Sequence, residues 1–227
     1  MVWRPLIFAA ILLAAPAFAQ DPRTLSVTGL GEVSTAPDMA TVRAGVETSA
    51  RRADEALRDN SARMTKVLET LAGLGIEPRD IQTSGLSLYP QYDNRTTGQG
   101  RGIAQYSAQN TLTIRVRDID GLGRVLDTIN QAGINEIQSI SFGLQDNSGQ
   151  LDAARTLAVS DARAKAELYA GAAGVSLGQV LSISEPGSNS GPVPMGMARA
   201  ESMAIDVPIA AGELITSARI DIVFEIE

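Results

Sequence analysis

Residues 40–74 read ATVRAGVETSARRADEALRDNSARMTKVLETLAGL, and the hydrophobic period changes inside that stretch. At first small apolar residues alternate with polar ones: Ala40, Val42, Ala44 and Val46 against Thr41, Arg43, Gly45 and Glu47. A period of two places each set on one face of a β-strand. From residue 52 the apolar positions are Ala53, Ala56, Leu57, Met64, Val67, Leu68 and Leu71. Their spacings of three and four make one stripe of an α-helix. Asp59 and Arg63 form an i,i+4 pair on the other face. Gly73 and Gly75 end the helix, and Pro78 prevents its resumption. A strand over 39–49 and a helix over 52–74 follow.

Beyond them the chain predicts a strand at 81–89 and a polar, glycine-rich loop, PQYDNRTTGQGRG, at 90–102. A long strand at 107–117 sets Leu112, Ile114 and Val116 against Thr113, Arg115 and Arg117. The same order then returns: strand 136–144, helix 150–173, strand 179–184, the loop PGSNSGPVPMGMARAESMAI at 186–205, and a long strand 217–226 with Ile220, Ile222, Phe224 and Ile226 in phase. The two helices close alike, on Ala72-Gly73-Leu74-Gly75-Ile76 and Ala172-Ala173-Gly174-Val175. Each unit is βαββ, and its last two strands, joined by a loop alone, pair antiparallel. The fold class expected is α+β: two βαββ-like halves, about 24–117 and 118–227, with largely antiparallel sheet and long helices packed on one face. Strand 24–35 and a short helix at 119–132 read as additions outside the repeat. No linker marks off an autonomous domain.

The composition removes whole classes of chemistry. The chain has 227 residues, no cysteine and no histidine. Disulfides, thiolate nucleophiles, Cys-ligated metals and a Ser-His-Asp triad are all excluded. So is the commonest general base and metal ligand. With 26 acidic against 19 basic residues the formal charge is −7, and a nucleic-acid partner, which needs a basic face, is not expected. Aromatic residues make up 4% of the chain, so the core must be aliphatic and alanine-rich.

The N-terminus reads as an address. Arg4 supplies positive charge, residues 6–15 are apolar, and Ala17-Phe18-Ala19 is an A-x-A cleavage signal. The apolar run is shorter than the roughly 20 residues of a transmembrane helix. A signal peptide at 1–19, cleaved after Ala19, and an exported body at 20–227 are expected, periplasmic in a Gram-negative host.

Candidate sites divide into weak chemical ones and stronger contact ones. Gly29-Leu30-Gly31 lies in a strand and lacks the third glycine and helix of a dinucleotide fingerprint; it predicts a bulge or a close backbone contact. Ser160 and Lys165 suggest a Ser-Lys pair, but five residues on a helix turn about 140° apart, and an ion pair of Lys165 with Asp161 is the simpler reading. Asp118 and Asp120 sit where helix caps belong, and 146–149 (DNSG) reads as a turn rather than a calcium loop. No catalytic, cofactor-binding or metal residue emerges. Three of the four tyrosines, Tyr89, Tyr92 and Tyr106, bracket the first loop, while Met195, Met197 and Met203 sit in the second. Both residue types suit adaptable contact surfaces; the methionines also fit Cu(I) ligation, oxidant trapping, or a segment without a core of its own.

These residues carry a resemblance to a known family. Val27-Thr28-Gly29-Leu30-Gly31 with Pro37-Asp38, Pro90-Gln91-Tyr92, Tyr106-Ser107-Ala108, Gly133-Ile134-Asn135 with Ile140-Ser141-Phe142, Asp161-Ala162-Arg163-Ala164-Lys165-Ala166, and Gly174-Val175-Ser176-Leu177-Gly178 occur in one order across the mature chain. Together they resemble the SIMPL-domain proteins, exported bacterial proteins that include periplasmic immunogenic and oxidative-stress defence proteins. The resemblance implies an exported α+β protein, a homo-oligomer of ring-like or channel-like form, outer-membrane association, and a link to oxidative-stress defence. It carries over no catalytic residues and no cofactor. The function expected is therefore non-enzymatic: a self-assembling protein that supports envelope integrity or stress tolerance indirectly. The alternative is an interaction module that grips a partner protein or the membrane surface through loops 90–105 and 186–205.

Overall fold

The computed structural model describes residues 23–93, 102–187, 191–194 and 210–227. In chain order the elements are β1 (Thr24–Thr35), β2 (Met39–Ala50), α1 (Ala53–Gly73), a 3-10 turn (Pro78–Asp80), β3 (Ile81–Tyr92), β4 (Ile103–Val116), α2 (Leu122–Ala132), β5 (Glu136–Gly143), α3 (Ser148–Ala173), β6 (Leu177–Ser184), β7 (Val193–Pro194) and β8 (Leu214–Ile226). They form an α+β fold of two antiparallel sheets, each backed by helix.

The first sheet runs β3-β4-β2-β5. The period-two residues of β2 set its register: Val42 stands opposite Ile114 of β4 and Ile140 of β5, and Ala44 opposite Leu112. On that face the α1 stripe Met64, Val67 and Leu71 and the α2 stripe Leu122, Val125 and Ile129 complete one buried core. Each large aliphatic side chain so buried contributes about 1.5–3 kcal/mol. Asn60 is a polar exception, fully buried on α1. Its Nδ2 donates to the Val46 and Ala108 carbonyls at 2.7 and 2.9 Å, fastening the helix to two strands.

The second sheet runs β1-β8-β6, with β7 also on β8. Val27, Ile220, Ile222 and Phe224 meet an unusual helix stripe, Ala154, Ala158, Ala162 and Ala166 of α3, which the buried Ala170 continues. The alanines let the helix sit very close to β1. A Cβ at Gly29 would lie 1.9 Å from the Ala158 carbonyl oxygen, and one at Gly31 2.0 Å from that of Ala154. The close backbone contact expected of Gly29-Leu30-Gly31 is thus a strand pressed on a helix.

The layers exchange one strand each against the sequence halves 24–117 and 118–227. β5 joins the first sheet, beside β2. Strand 24–35, an addition to the repeat by its sequence, is a full member of the second sheet, paired with β8 from Thr24↔Glu225 to Thr35↔Leu214. The first hairpin is also longer than the loop composition suggests. Pro90↔Tyr106, Gln91↔Gln105 and Tyr92↔Ile103 continue the ladder, because β3 is an edge strand, where a proline forfeits no sheet hydrogen bond on its open side.

Candidate interaction surfaces

The tyrosines that bracket the first loop all lie on strands, Tyr89 as expected and Tyr92 and Tyr106 because both strands run further than the sequence predicts. Tyr89, on β3, donates its hydroxyl to Glu47 Oε1 at 3.0 Å, and Ser107 Oγ donates to the same oxygen at 2.5 Å. Tyr106 is half-buried opposite Pro90 and Ala50. Tyr92 pairs with Ile103 at the hairpin end, and both are exposed. Met195, Met197 and Met203 fall outside the described residues, as does the 1–19 leader.

Lys165 is a structural group. Its Nζ lies 2.7 Å from Asp161 Oδ2 and donates to the Thr28 carbonyl at 3.2 Å. Asp161 Oδ2 in turn accepts the Leu30 N–H at 2.8 Å. The lysine and this N–H hold the Asp161 carboxyl below its ordinary range. Ser160 is exposed and takes no part, so the helical divergence of the two side chains holds. Asp118 and Asp120 differ from their reading as caps: α2 starts at Leu122 and has no side-chain cap. Asp146 does shape a turn, accepting the Ser148 N–H at 2.9 Å.

These contacts have a common effect on sheet edges. An edge strand presents unpaired N–H and C=O groups that template association with another chain. Asp161 and Lys165 occupy those of β1 at Leu30 and Thr28. On β2, β5 pairing stops at Gly45↔Glu136, and Asn135 takes over. Its Oδ1 accepts the Glu47 N–H and its Nδ2 donates to the Glu47 carbonyl, each at 2.8 Å. Its own N–H donates to the Gly45 carbonyl at 3.2 Å. One side chain thus stands in for a strand residue.

β3 and β6 have no such closure among the described residues. Leu86 and Leu88 stand opposite Asn110 and Ala108, on the core-facing side of β4, yet no helix covers them and Leu86 is 61% exposed. Leu57 and Leu68 of α1 are exposed as well. Arg63 lies against Gly133 at the end of α2, and the two leucines lie roughly 120–140° round the helix from it, away from α2. On β6, Val180 and Ile183 stand opposite Phe224 and Ile222 of the second core and are likewise exposed, Ile183 by 59%. The neighbouring α3 turns its alanines inward and its large residues out: Leu157, Tyr169 and Leu168, the last 66% exposed. Among the described residues each sheet therefore ends in an uncovered apolar margin. The sequence signal for them was present, in leucines alternating with serine on β3 and an i,i+4 alanine row that leaves the leucines of α3 elsewhere.

A polar network ties the two connections between the layers. Gln145 donates its N–H to Asp38 Oδ1 at 2.7 Å and its Nε2 to the Asp38 carbonyl at 3.2 Å. Arg117 donates to Gln145 Oε1 at 2.8 Å and, through Nε and Nη2, to both oxygens of Asp80, also at 2.8 Å. Asp80 is nearly fully buried, and the guanidinium holds its carboxyl below the usual range. Asp38 thereby connects the β1–β2 turn to the β5–α3 turn.

Comparisons with known proteins match most of the chain. The family model SIMPL, described as "Protein of unknown function (DUF541)", matches residues 25–224. The chain is 37% identical over 240 residues to the "26 kDa periplasmic immunogenic protein" of Brucella melitensis, covering 97% of this chain and 95% of that protein. It is 34% identical over 167 residues to the "Uncharacterized protein YggE" of Edwardsiella ictaluri, covering 74% and 70%. With the protein of that name from Escherichia coli K12 the identity is 30% over 215 residues, covering 91% and 85%. Among the described residues no helix is long and apolar enough to cross a membrane.

Proposed function

The chain belongs to the SIMPL family, and on that premise we propose that it is an exported, periplasmic, non-enzymatic protein that works by assembling with copies of itself. The observation that carries this reading is the selective closure of sheet edges. Side chains close β1 and the end of β2 that runs past β5, whereas β3 and β6 are left open and apolar among the described residues. Scattered exposed leucines are ordinary, but apolar rows on open edges invite a partner. β3 and β6 hold the same position in the two βαββ repeats, each being the strand after the long helix. An edge of one kind meeting an edge of the other is a head-to-tail contact, which closes into a ring when the rotation permits.

The N-terminal leader pattern and the relative named as periplasmic support export to the periplasm. Lacking cysteine and histidine, the protein supports envelope integrity or oxidative-stress tolerance indirectly, as a scaffold. A second reading rests on the exposed Tyr92 and Ile103 at the hairpin end: this apolar tip suits a partner protein or the membrane surface.

Light scattering and sedimentation of the purified chain test the assembly. Leu86→Glu and Ile183→Glu should each dissociate it while leaving the circular dichroism spectrum unchanged. A monomer at micromolar concentration in the unmodified chain sinks the proposal. Intact assembly in both variants, with loss only when Tyr92 and Ile103 are changed, supports the tip instead.

A further inference from the structure

We propose that the cleft between the end of α1, the end of β4 and the start of α2 binds a small organic carboxylate with a short apolar stem, its carboxylate taken by Arg115 and Arg124. The cleft has a volume of about 210 Å³, below the roughly 300 Å³ at which pockets for drug-sized ligands begin. Its apolar wall comes from the partly buried Leu74 and Ile76, backed by the buried Val116 and Val125, and its polar rim from three arginines and three acids.

The pairing on that rim is uneven. Glu77 is engaged by Arg79 at 2.7 Å. Asp80 is engaged by Arg117, which Gln145 also holds. Those contacts fix one side of the cleft and use up its third arginine. No ion pair or hydrogen bond engages the guanidinium of Arg115 or Arg124 among the described residues; Arg115 feels Asp80 only at longer range. Unpaired guanidiniums in a chain of charge −7 make a local positive field that gathers anions, and the planar guanidinium fork matches a carboxylate. Asp118 also lines the cleft. Its negative charge disfavours a multiply charged anion such as phosphate, and a singly charged carboxylate meets less repulsion. The apolar wall gives a hydrocarbon stem a place that bare phosphate cannot use.

Amide chemical shifts of the purified chain, titrated with sodium hexanoate and separately with inorganic phosphate, test this. Saturable hexanoate shifts confined to 74–77, 115–118 and 121–125 are expected. Arg115→Gln and Arg124→Gln, both exposed positions, should each weaken binding about tenfold, the size of one charge-assisted contact. Arg163→Gln on α3 should leave it unchanged. Phosphate should bind more weakly than hexanoate. Absence of saturable shifts, indifference to both cleft substitutions, or phosphate binding as tight as hexanoate would each overturn the assignment.

Discussion

Asp161 and Lys165 stand one turn apart on α3, 2.7 Å from carboxylate oxygen to ammonium, and the pair reaches across to the backbone of β1. The aspartate takes the Leu30 N–H and the lysine gives to the Thr28 carbonyl. An i,i+4 ion pair on an isolated helix is worth only a few tenths of a kcal/mol. Here it also satisfies two groups of an edge strand, so it joins helix to sheet and shuts that edge to other chains.

Asp161→Ala should therefore lower stability, most of the loss coming from the charge-assisted bond to Leu30 and reduced by solvent screening of this partly exposed pair. Urea denaturation measures the loss. The variant should also aggregate more readily during refolding, since the β1 edge is opened. An unchanged midpoint would mean that the pair is ornamental.

Gly31→Ala should be much worse, by about 3 kcal/mol. Its methyl group would sit 2.0 Å from a helix carbonyl that cannot rotate away. Gly171→Ala on the same helix meets nothing within 4 Å and should be neutral or stabilising by about 0.5 kcal/mol. Thermal melts of the two variants should move in opposite directions or, for Gly171, not at all.

The Asp80–Arg117 contact predicts a pH dependence with a definite sign. The folded Asp80 carboxyl titrates below its unfolded value, which is about 3.9. Its contribution is full above that unfolded value and is lost as pH falls through the folded one. Asp80→Asn should cost about 2–3 kcal/mol at neutral pH, the lower end for a buried partner because Arg117 is partly exposed. Denaturation midpoints of the two proteins, measured from pH 7 downward, should converge in acid. A constant gap would show that the loss is packing rather than charge.

Asn135→Ala removes the two bonds to the Glu47 backbone. A loss of about 1 kcal/mol is expected, because water can reach the freed groups. Hydrogen exchange is the sharper readout: the Glu47 amide should exchange faster, while Val42, paired with strands on both sides, should not change.

Much of the fold could be read along the chain. Val42 and Val46 declare a strand and Met64, Val67 and Leu71 a helix, because each pattern depends on residues a few positions apart. The repeat was legible for the same reason. The margins were harder. Leu86 and Leu88 read as ordinary strand leucines, and whether they are core or surface depends on whether a helix lies over β3. Asn135 looks like a turn residue, and its use as a substitute strand residue requires Glu47 to be opposite, 88 positions away. The tyrosines stand out in the sequence, and Tyr89 reads correctly as the end of a strand, but Tyr92 reads as loop where the strand continues, since Pro90 looks like a break unless the strand is known to be at an edge.

The sequence by itself determined the order and type of the elements and the absence of thiol and imidazole chemistry, because backbone periodicity and residue inventory are local properties. Only the tertiary structure decided that β1 and β5 change layers, that α3 lays its alanines on Gly29 and Gly31 and turns its leucines out, and that, among the described residues, β1 and the end of β2 past β5 are closed while β3 and β6 are open. Those outcomes are set by which distant groups meet. A hydrogen-bonding edge or an apolar face has no intrinsic partner, and what covers it is settled only when the whole chain is packed.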